Sequence, residues 1–317
     1  MLLRSGISAE NFLRFVIGVN PREVVFKMVS KEVLLQDAAR QLNDVGVEDA
    51  RSEARRLLCW ALGVDLTGLF LCQNVEEEAG LRFQEALKRR LAREPLAFIV
   101  GEAGFWTLDL YTSPATLIPR GDSEALIEAL LAQRLPKQMP LSILDLGTGT
   151  GCLLLAALSE FPLAWGLGVD LSPDAAALAA KNARRNALAE RCAFIAGDWA
   201  GALSARFDIV FSNPPYIESD DIAGLMPEVA KYEPHRALDG GQDGLDAYRL
   251  LCRALPSLLN HDGIAILEMG IGQINAVSDF AQRCGLREIA RHRDLGGVER
   301  ALVLQFDRKS VGAESLF

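Results

Sequence analysis

Ile143-Leu-Asp-Leu-Gly-Thr-Gly-Thr-Gly151, running straight into the apolar stretch Cys152 to Leu158, decides how this chain folds. The first residues read as a short strand, the glycines as a sharp turn, and the apolar run as the start of a helix. The same alternation continues outward. Ser142–Leu146, Ala164–Asp170, Ala193–Ala196, Phe207–Ser212 and Gly263–Glu268 read as strands. Ser123–Leu135, Gly151–Ser159 and Pro173–Asn186 read as helices, with another helix before Gly263. Regular strand–helix alternation implies a parallel sheet covered by helices on both faces. Leu286–Ala290 and Ala301–Phe306 are separated only by a turn-rich loop, which predicts an antiparallel pair at the end of an α/β domain.

Glycines in such a turn let a ligand lie against bare backbone, and the helix that follows offers free N–H donors at its start. The spacing is G-x-G-x-G before Cys152, not the G-x-G-x-x-G of dinucleotide-binding enzymes. Asp170 ends the next strand about 20 residues on, where a carboxylate can accept both hydroxyls of a ribose. Gly197-Asp198-Trp199 ends the third strand and sets a carboxylate and an indole where an adenine would sit. Each piece alone is also compatible with a tight connection or a helix cap; together they point to an adenosine-type ligand. The combination resembles S-adenosylmethionine-dependent methyltransferases of the Rossmann-like class. That resemblance implies a seven-stranded sheet with an antiparallel edge hairpin, and Gly147, Thr148, Gly149, Thr150, Gly151, Asp170, Asp198, Trp199 and Asn213 as the cofactor-binding residues.

The fourth strand ends in Asn213-Pro-Pro-Tyr216. Ligands of open parallel sheets sit beyond the carboxyl ends of the strands, near the switch point, so this loop should face the glycine loop. The Asn213 side-chain oxygen and the Pro214 carbonyl supply two neutral acceptors. Pro214 and Pro215 stiffen the backbone and remove competing donors. Tyr216 offers an aromatic face for a planar group. Two acceptors beside an aromatic wall suit a planar –NH2. Hydrogen bonds to both N–H groups would align a poorly nucleophilic nitrogen with a methyl sulfonium, and alignment can contribute up to about 7–11 kcal/mol. A rigid Pro-Pro turn is the purely structural alternative.

Upstream, Lys31 to Glu94 is helical in pattern, with no alternating strand. One stripe comprises Val33, Leu34, Ala38 and Leu42 and stops at Gly46. A second comprises Ala54, Leu57, Leu58, Ala61 and Leu62 and closes at Gly63. A third comprises Leu81, Ala86, Leu87 and Leu91, before Pro95. Lys88, Arg89, Arg90 and Arg93 read as a solvated helix face, the alternative being contact with an acidic partner. Phe98 to Ile118 suggests a hairpin. The expected organisation is an extension at 1–27, a helical substrate-recognition domain at 28–96, a hairpin connector at 97–118, a methyltransferase domain at 119–308 and a polar tail at 309–317. Met28-Val-Ser-Lys31 looks like an ordinary protein start, so the extension is either loosely attached or the product of a misassigned start codon.

The 317 residues carry 33 basic and 42 acidic side chains, a formal charge of -9, which excludes a broadly basic nucleic-acid footprint. Half the residues are hydrophobic, enough for a core and too many for a disordered chain. No apolar run approaches the roughly 20 residues of a membrane span, and no signal peptide is apparent, so the expectation is a cytoplasmic protein. Six scattered cysteines without a C-x-x-C pair read as free thiols, and three histidines away from any ligand spacing argue against zinc.

From about Leu34 to Phe306 the chain resembles the HemK/PrmC family, the peptide chain release factor N5-glutamine methyltransferases. The likeness rests on Asn213–Tyr216 and on Leu117-Ile-Pro-Arg-Gly-Asp-Ser-Glu124, Tyr232-Glu-Pro234 and Ala237-Leu-Asp-Gly-Gly-Gln-Asp-Gly-Leu245. It also rests on Glu268-Met-Gly270 with Gln273, Asp294-Leu-Gly-Gly-Val-Glu-Arg300 and Glu94-Pro-Leu-Ala-Phe-Ile-Val-Gly-Glu102. The resemblance implies methyl transfer from S-adenosylmethionine to the glutamine of a Gly-Gly-Gln tripeptide in release factors. Asn213 and Pro214 would be catalytic, Asn213 to Tyr216 would hold the glutamine amide, and the helical domain would help hold the protein. Gly121 stands where the family usually has proline. Leu110 stands where an aromatic residue is common, implying a substrate wall lined differently there. The rivals are an amino-methyltransferase of a nucleic-acid base or a ribosomal-protein glutamine, a nicotinamide dehydrogenase, and a cofactor-binding module without turnover.

Overall fold

The computed structural model describes residues 29–201 and 203–306; the expected extension at 1–27 and tail at 309–317 lie outside them. The chain forms two compact units that divide between Ile99 and Val100.

The first unit is built from the helices Lys31–Asp44, Ala50–Leu62, Leu66–Leu71 and Glu77–Leu91. Ala54, Leu57, Leu58 and Ala61 are buried as their spacing predicts, and Gly63 ends that helix in the left-handed conformation (φ +69°) that glycine adopts without strain. The other two stripes hold in part: Ala38 and Leu42 are buried, as are Ala86 and Leu87. Val33 is exposed, and in Glu77–Leu91 the buried face is Ala79, Phe83, Ala86, Leu87 and Arg90, with Leu81 left 48% exposed. Nor is the unit free of strands: β1 (Val29–Ser30) pairs antiparallel with β2 (Asn74–Val75).

The basic cluster is likewise not a solvated face. Arg90 is buried, its Nε 2.5 Å from Oε2 of Glu53. Arg89 bonds Glu94, and Arg93 donates from Nη1 to the carbonyl oxygens of Val45 and Gly46. Only Lys88 of the four is fully exposed.

In the second unit a hairpin, β3 (Glu102–Phe105) and β4 (Leu108–Tyr111), precedes a seven-stranded sheet. The sheet strands are β5 (Ser142–Leu146), β6 (Trp165–Asp170), β7 (Cys192–Ala196), β8 (Phe207–Ser212), β9 (Leu259–Glu268), β10 (Leu286–Arg293) and β11 (Glu299–Phe306). Their spatial order is β10-β11-β9-β8-β5-β6-β7, with β9 to β7 parallel and β11 reversed between β9 and β10. The α/β reading and the antiparallel end hairpin both hold, with β10 and β11 longer than expected.

Two cores explain the continuous apolar strands. Ile143, Ile209, Phe211 and Ile266 point to the face covered by the helices Glu124–Ala132 and Cys152–Glu160. Leu144, Leu146, Val210 and Leu267 point to the opposite face, under Asp246–Leu258 and Ile274–Arg283. Side chains alternate along each strand, and both faces are dry. From β5 the chain steps to β6 and β7 on one side, then crosses to β8 on the other. The order therefore reverses between β5 and β8, and a crevice opens at their carboxyl ends.

Candidate active site

The loop leaving β5 is pinned from below. The N–H groups of Gly147 and Thr148 both donate to the carbonyl of Val169 on β6, at 2.9 and 3.0 Å. The Thr148 hydroxyl donates to Oδ2 of buried Asp145 at 2.6 Å, and burial pushes that carboxyl up to about 7. Asn182 donates to the Thr150 carbonyl at 2.9 Å. What remains open is the upper backbone. A methyl group added at Gly147 would lie 3.9 Å from both the Asn213 carbonyl oxygen and Cζ3 of Trp199; one at Gly149 would lie 3.9 Å from Cβ of Thr116. Bare backbone thus faces a space bounded by those three residues.

Gly151 does different work. With φ +82° it caps the helix Cys152–Glu160, and a Cβ there would meet Ala179 at 3.1 Å and the Phe194 ring at 3.3 Å. It is a close-packing glycine and does not line the pocket, whereas Gly147, Thr148, Gly149 and Thr150 do.

That pocket holds about 320 Å³ and follows the carboxyl ends of β5, β6, β7 and β8. Asp170 accepts the Gly149 N–H at Oδ2 (2.9 Å) and the Ser172 N–H at Oδ1 (2.8 Å). An ionised carboxylate has about four acceptor positions, so both oxygens retain capacity for vicinal ribose hydroxyls. Asp198 and Trp199 line the far end. Trp199 takes φ +45°, unusual for a bulky residue, while its side chain packs on the core below. Bare glycine backbone, a two-oxygen acceptor and an indole in one cleft fit the methionine, ribose and adenine parts of S-adenosylmethionine.

Asn213 reaches the same cleft from β8, whose last residue, Ser212, is tied to β5 by a hydroxyl donating to the Leu146 carbonyl at 2.7 Å. The Asn213 Nδ2 donates to Oγ of Ser123 at 3.3 Å. Among the described residues nothing donates to Asn213 Oδ1 or to the Pro214 carbonyl. Pro215 lines the pocket; Pro214 and Tyr216 do not. Tyr216 turns toward the core: its hydroxyl donates to Oε1 of Glu268 at 3.2 Å, and burial together with that carboxylate pushes the phenol well up. Leu110 is also absent from the wall. It is fully buried in the core, so its replacement of an aromatic residue alters packing there.

Several residues that shape the cleft carried no assignment from sequence. Buried Glu233 accepts the Ile118 N–H at 3.0 Å and pairs with Arg120, fixing the Leu117–Arg120 wall. The Gln273 side chain donates to the Tyr216 carbonyl at 2.9 Å. A Cβ at Gly240 would meet Tyr216 Cα at 2.8 Å, and one at Gly244 would meet the Tyr216 carbonyl oxygen at 2.4 Å. These stretches form a collar that holds the Asn213–Tyr216 backbone. The available clue was a carboxylate, Glu268, closing an unbroken apolar strand, since such a group is buried at the ligand edge of the sheet.

A parallel core with one reversed strand, a glycine loop over the central strand and a ribose-type acid one strand away define a Rossmann-like methyltransferase. Comparison with known proteins agrees. The PrmC N-terminal domain matches residues 33–101 and the methyltransferase small domain matches residues 127–231. The release factor glutamine methyltransferase of Rhodospirillum rubrum is 43% identical over 93% of this chain and 90% of its own length. That of Cereibacter sphaeroides is 43% identical over 84% of this chain and 95% of its own. A solved protein-(glutamine-N5) methyltransferase (release factor-specific) from Alicyclobacillus acidocaldarius is 26% identical, with 62% of this chain and 99% of that one covered and a TM-score of 0.37. The chain belongs to the release factor glutamine methyltransferase family. It is an S-adenosylmethionine-dependent enzyme.

Proposed function

We propose that this enzyme methylates the side-chain amide nitrogen of the glutamine in the Gly-Gly-Gln motif of peptide chain release factors. The observation that carries the reading is Asn213, which lines the pocket with the glycine loop and whose Oδ1 no described residue engages.

S-Adenosylmethionine, when bound, supplies an electrophilic methyl group on a positively charged sulfur. Gly147 to Thr150 would cradle its methionine part, Asp170 its ribose, and Asp198 with Trp199 its adenine. The remaining task falls to the chain's own atoms. A carboxamide nitrogen is a weak nucleophile because its lone pair is delocalised into the carbonyl. Asn213 Oδ1 and the Pro214 oxygen can each accept one N–H, which fixes the plane of the NH2 and points its lone pair at the cleft. The same two acceptors stabilise positive charge as the new bond forms, so the proton need not leave beforehand. A single such preorganised hydrogen bond is worth about 3–4 kcal/mol of transition-state stabilisation.

Tyr216 contributes through rigidity, its hydroxyl tethered to Glu268. The helical unit is proposed to hold the body of the protein substrate; it exposes Leu66, Phe70 and Leu71, with Phe70 81% accessible. A net charge of -9 suits a protein substrate better than a bare nucleic acid. Among the described residues no helix is long and apolar enough to cross a membrane. A substrate acting in translation supports a cytoplasmic location.

The test is transfer of labelled methyl to purified release factor, set beside a release factor whose motif glutamine is alanine. Label in the first and none in the second is expected. Equal labelling of both would refute the assignment.

A further inference from the structure

Gly121-Asp122-Ser123 and Asp294-Leu-Gly-Gly-Val-Glu-Arg300 lie far apart in the sequence and meet at one side chain. The Arg300 guanidinium engages three partners. Its Nε donates to Oδ2 of Asp294 at 2.9 Å, Nη1 to the Met269 carbonyl at 3.3 Å and Nη2 to Oδ2 of Asp122 at 3.2 Å. The Arg300 backbone carbonyl also accepts the Met269 N–H at 2.8 Å. The side chains of Arg300 and Asp294 are 12% and 5% exposed, so the guanidinium is a fixed post between the start of β11 and the end of β9. The Asp122 side chain, by contrast, is 58% exposed. An ion pair that open contributes only about 0–1 kcal/mol to stability. Its other consequence is geometric.

Asp122 is the middle residue of the turn Gly121–Ser123. The next residue, Ser123, is buried and accepts Asn213 Nδ2 at its Oγ over 3.3 Å. We propose that Arg300 and Asp122 are positioning residues: their contact ties the turn Gly121–Ser123 to the sheet, and so holds Ser123 where it fixes the plane of the Asn213 carboxamide. Each link is a hydrogen bond or a peptide bond. Ser123 and Asn213 line the pocket, whereas Asp122 and Arg300 do not, so any effect of the pair on rate passes through the turn. The benefit to methyl transfer rests on the proposed function; the tether itself does not.

Gly121 raises the importance of the tether. Glycine leaves the backbone at the start of the turn free, while a proline would set φ near about −65°. The turn is shaped to accept one. Arg120 is extended (φ −107°, ψ 141°), as the residue before a proline must be, and a Cβ at 121 would have nothing within 4 Å. Proline at 121 would stiffen the turn from within and replace part of what Arg300 does from outside.

The test uses the full-length enzyme and Asp122→Ala, which leaves the bonds of Arg300 to Asp294 and Met269 in place. kcat on release factor is expected to fall about tenfold, with S-adenosylmethionine affinity within about twofold of normal. Gly121→Pro added to Asp122→Ala should recover about threefold of that loss. In an Asn213→Ala background, Asp122→Ala should cost less than about twofold, because the amide it positions is gone. A second readout needs no substrate: solvent exchange of the Asn213 side-chain NH2 protons, followed in 15N spectra. It should quicken about tenfold in Asp122→Ala and slow again when Gly121→Pro is added. Exchange unaltered by Asp122→Ala, an equal fall in kcat with and without Asn213, or no recovery with Gly121→Pro would each overturn the proposal. A wild type inactive on release factor would defeat only the substrate assignment, and the exchange rates would still decide the role of the tether.

Discussion

The backbone N–H of Gly149 donates to Oδ2 of Asp170 over 2.9 Å. One contact therefore joins the glycine loop after β5 to the acid at the end of β6. Their separation in sequence makes them look like two features. In the fold the acid that would bind the ribose also braces the loop that would bear the methionine, and its other oxygen accepts the Ser172 N–H at the start of the next helix.

Asp170→Ala removes both functions at once. A hydrogen bond to a charged group is worth about 1.5–3 kcal/mol, so S-adenosylmethionine affinity should fall roughly 100-fold by calorimetry. Asp170→Asn keeps one acceptor for Gly149 and should lose distinctly less. Equal losses would show that the brace contributes nothing.

Asn213→Ala deletes the acceptor that no described residue engages. Turnover should drop about 10²–10³-fold, the cost of losing one preorganised transition-state hydrogen bond. The melting temperature should shift little, because the one side-chain bond that Asn213 makes among the described residues is the 3.3 Å contact to Ser123. A near-normal rate would remove Asn213 from the chemistry.

Gly244→Ala tests the collar. The residue has φ +68°, and a Cβ would lie 2.4 Å from the Tyr216 carbonyl oxygen and 2.5 Å from Nε2 of Gln273. Backbone must move, and the part that moves carries the acceptors. Turnover should fall at least about tenfold with cofactor affinity almost intact. Gly272→Ala is the control: φ is +80° with nothing within 4 Å, so it should cost about 1–2 kcal/mol of stability and leave catalysis alone.

How much of this could be read along the chain depended on distance in sequence. The bounds of β5 and β8 were legible to the residue, because strands buried on both faces are rich in apolar residues and end at turn residues. The loops after those strands were legible for the same reason. Helix phase in the first unit was legible only in part. In Glu77–Leu91 the expected Ala86 and Leu87 are buried, but Ala79, Phe83 and Arg90 complete the buried face while Leu81 faces solvent, so counting leucines misjudged its extent. The helices Leu66–Leu71 and Leu96–Val100 are too short to show a period. The orientation of Tyr216 depends on Glu268, 52 residues away, and the pocket wall on an Arg120–Glu233 pair 113 residues apart. No local pattern encodes either.

The Arg90–Glu53 pair makes that point testable. Glu53→Ala leaves a buried guanidinium short of its carboxylate and should destabilise the protein by about 3–5 kcal/mol in urea titrations. Replacing both partners by apolar residues of similar volume, as in Glu53→Leu with Arg90→Met, should be close to neutral. A loss under about 1 kcal/mol for Glu53→Ala would return Arg90 to the solvated face that its sequence suggests.

The most direct measurement is a fragmentation mass spectrum of release factor after incubation with the enzyme and S-adenosylmethionine. The account predicts one added methyl, located on the side chain of the glutamine in Gly-Gly-Gln, and none when the enzyme carries Asn213→Ala. An unmodified Gly-Gly-Gln peptide, with the methyl found instead on a base of nucleic acid in the same mixture, would contradict it.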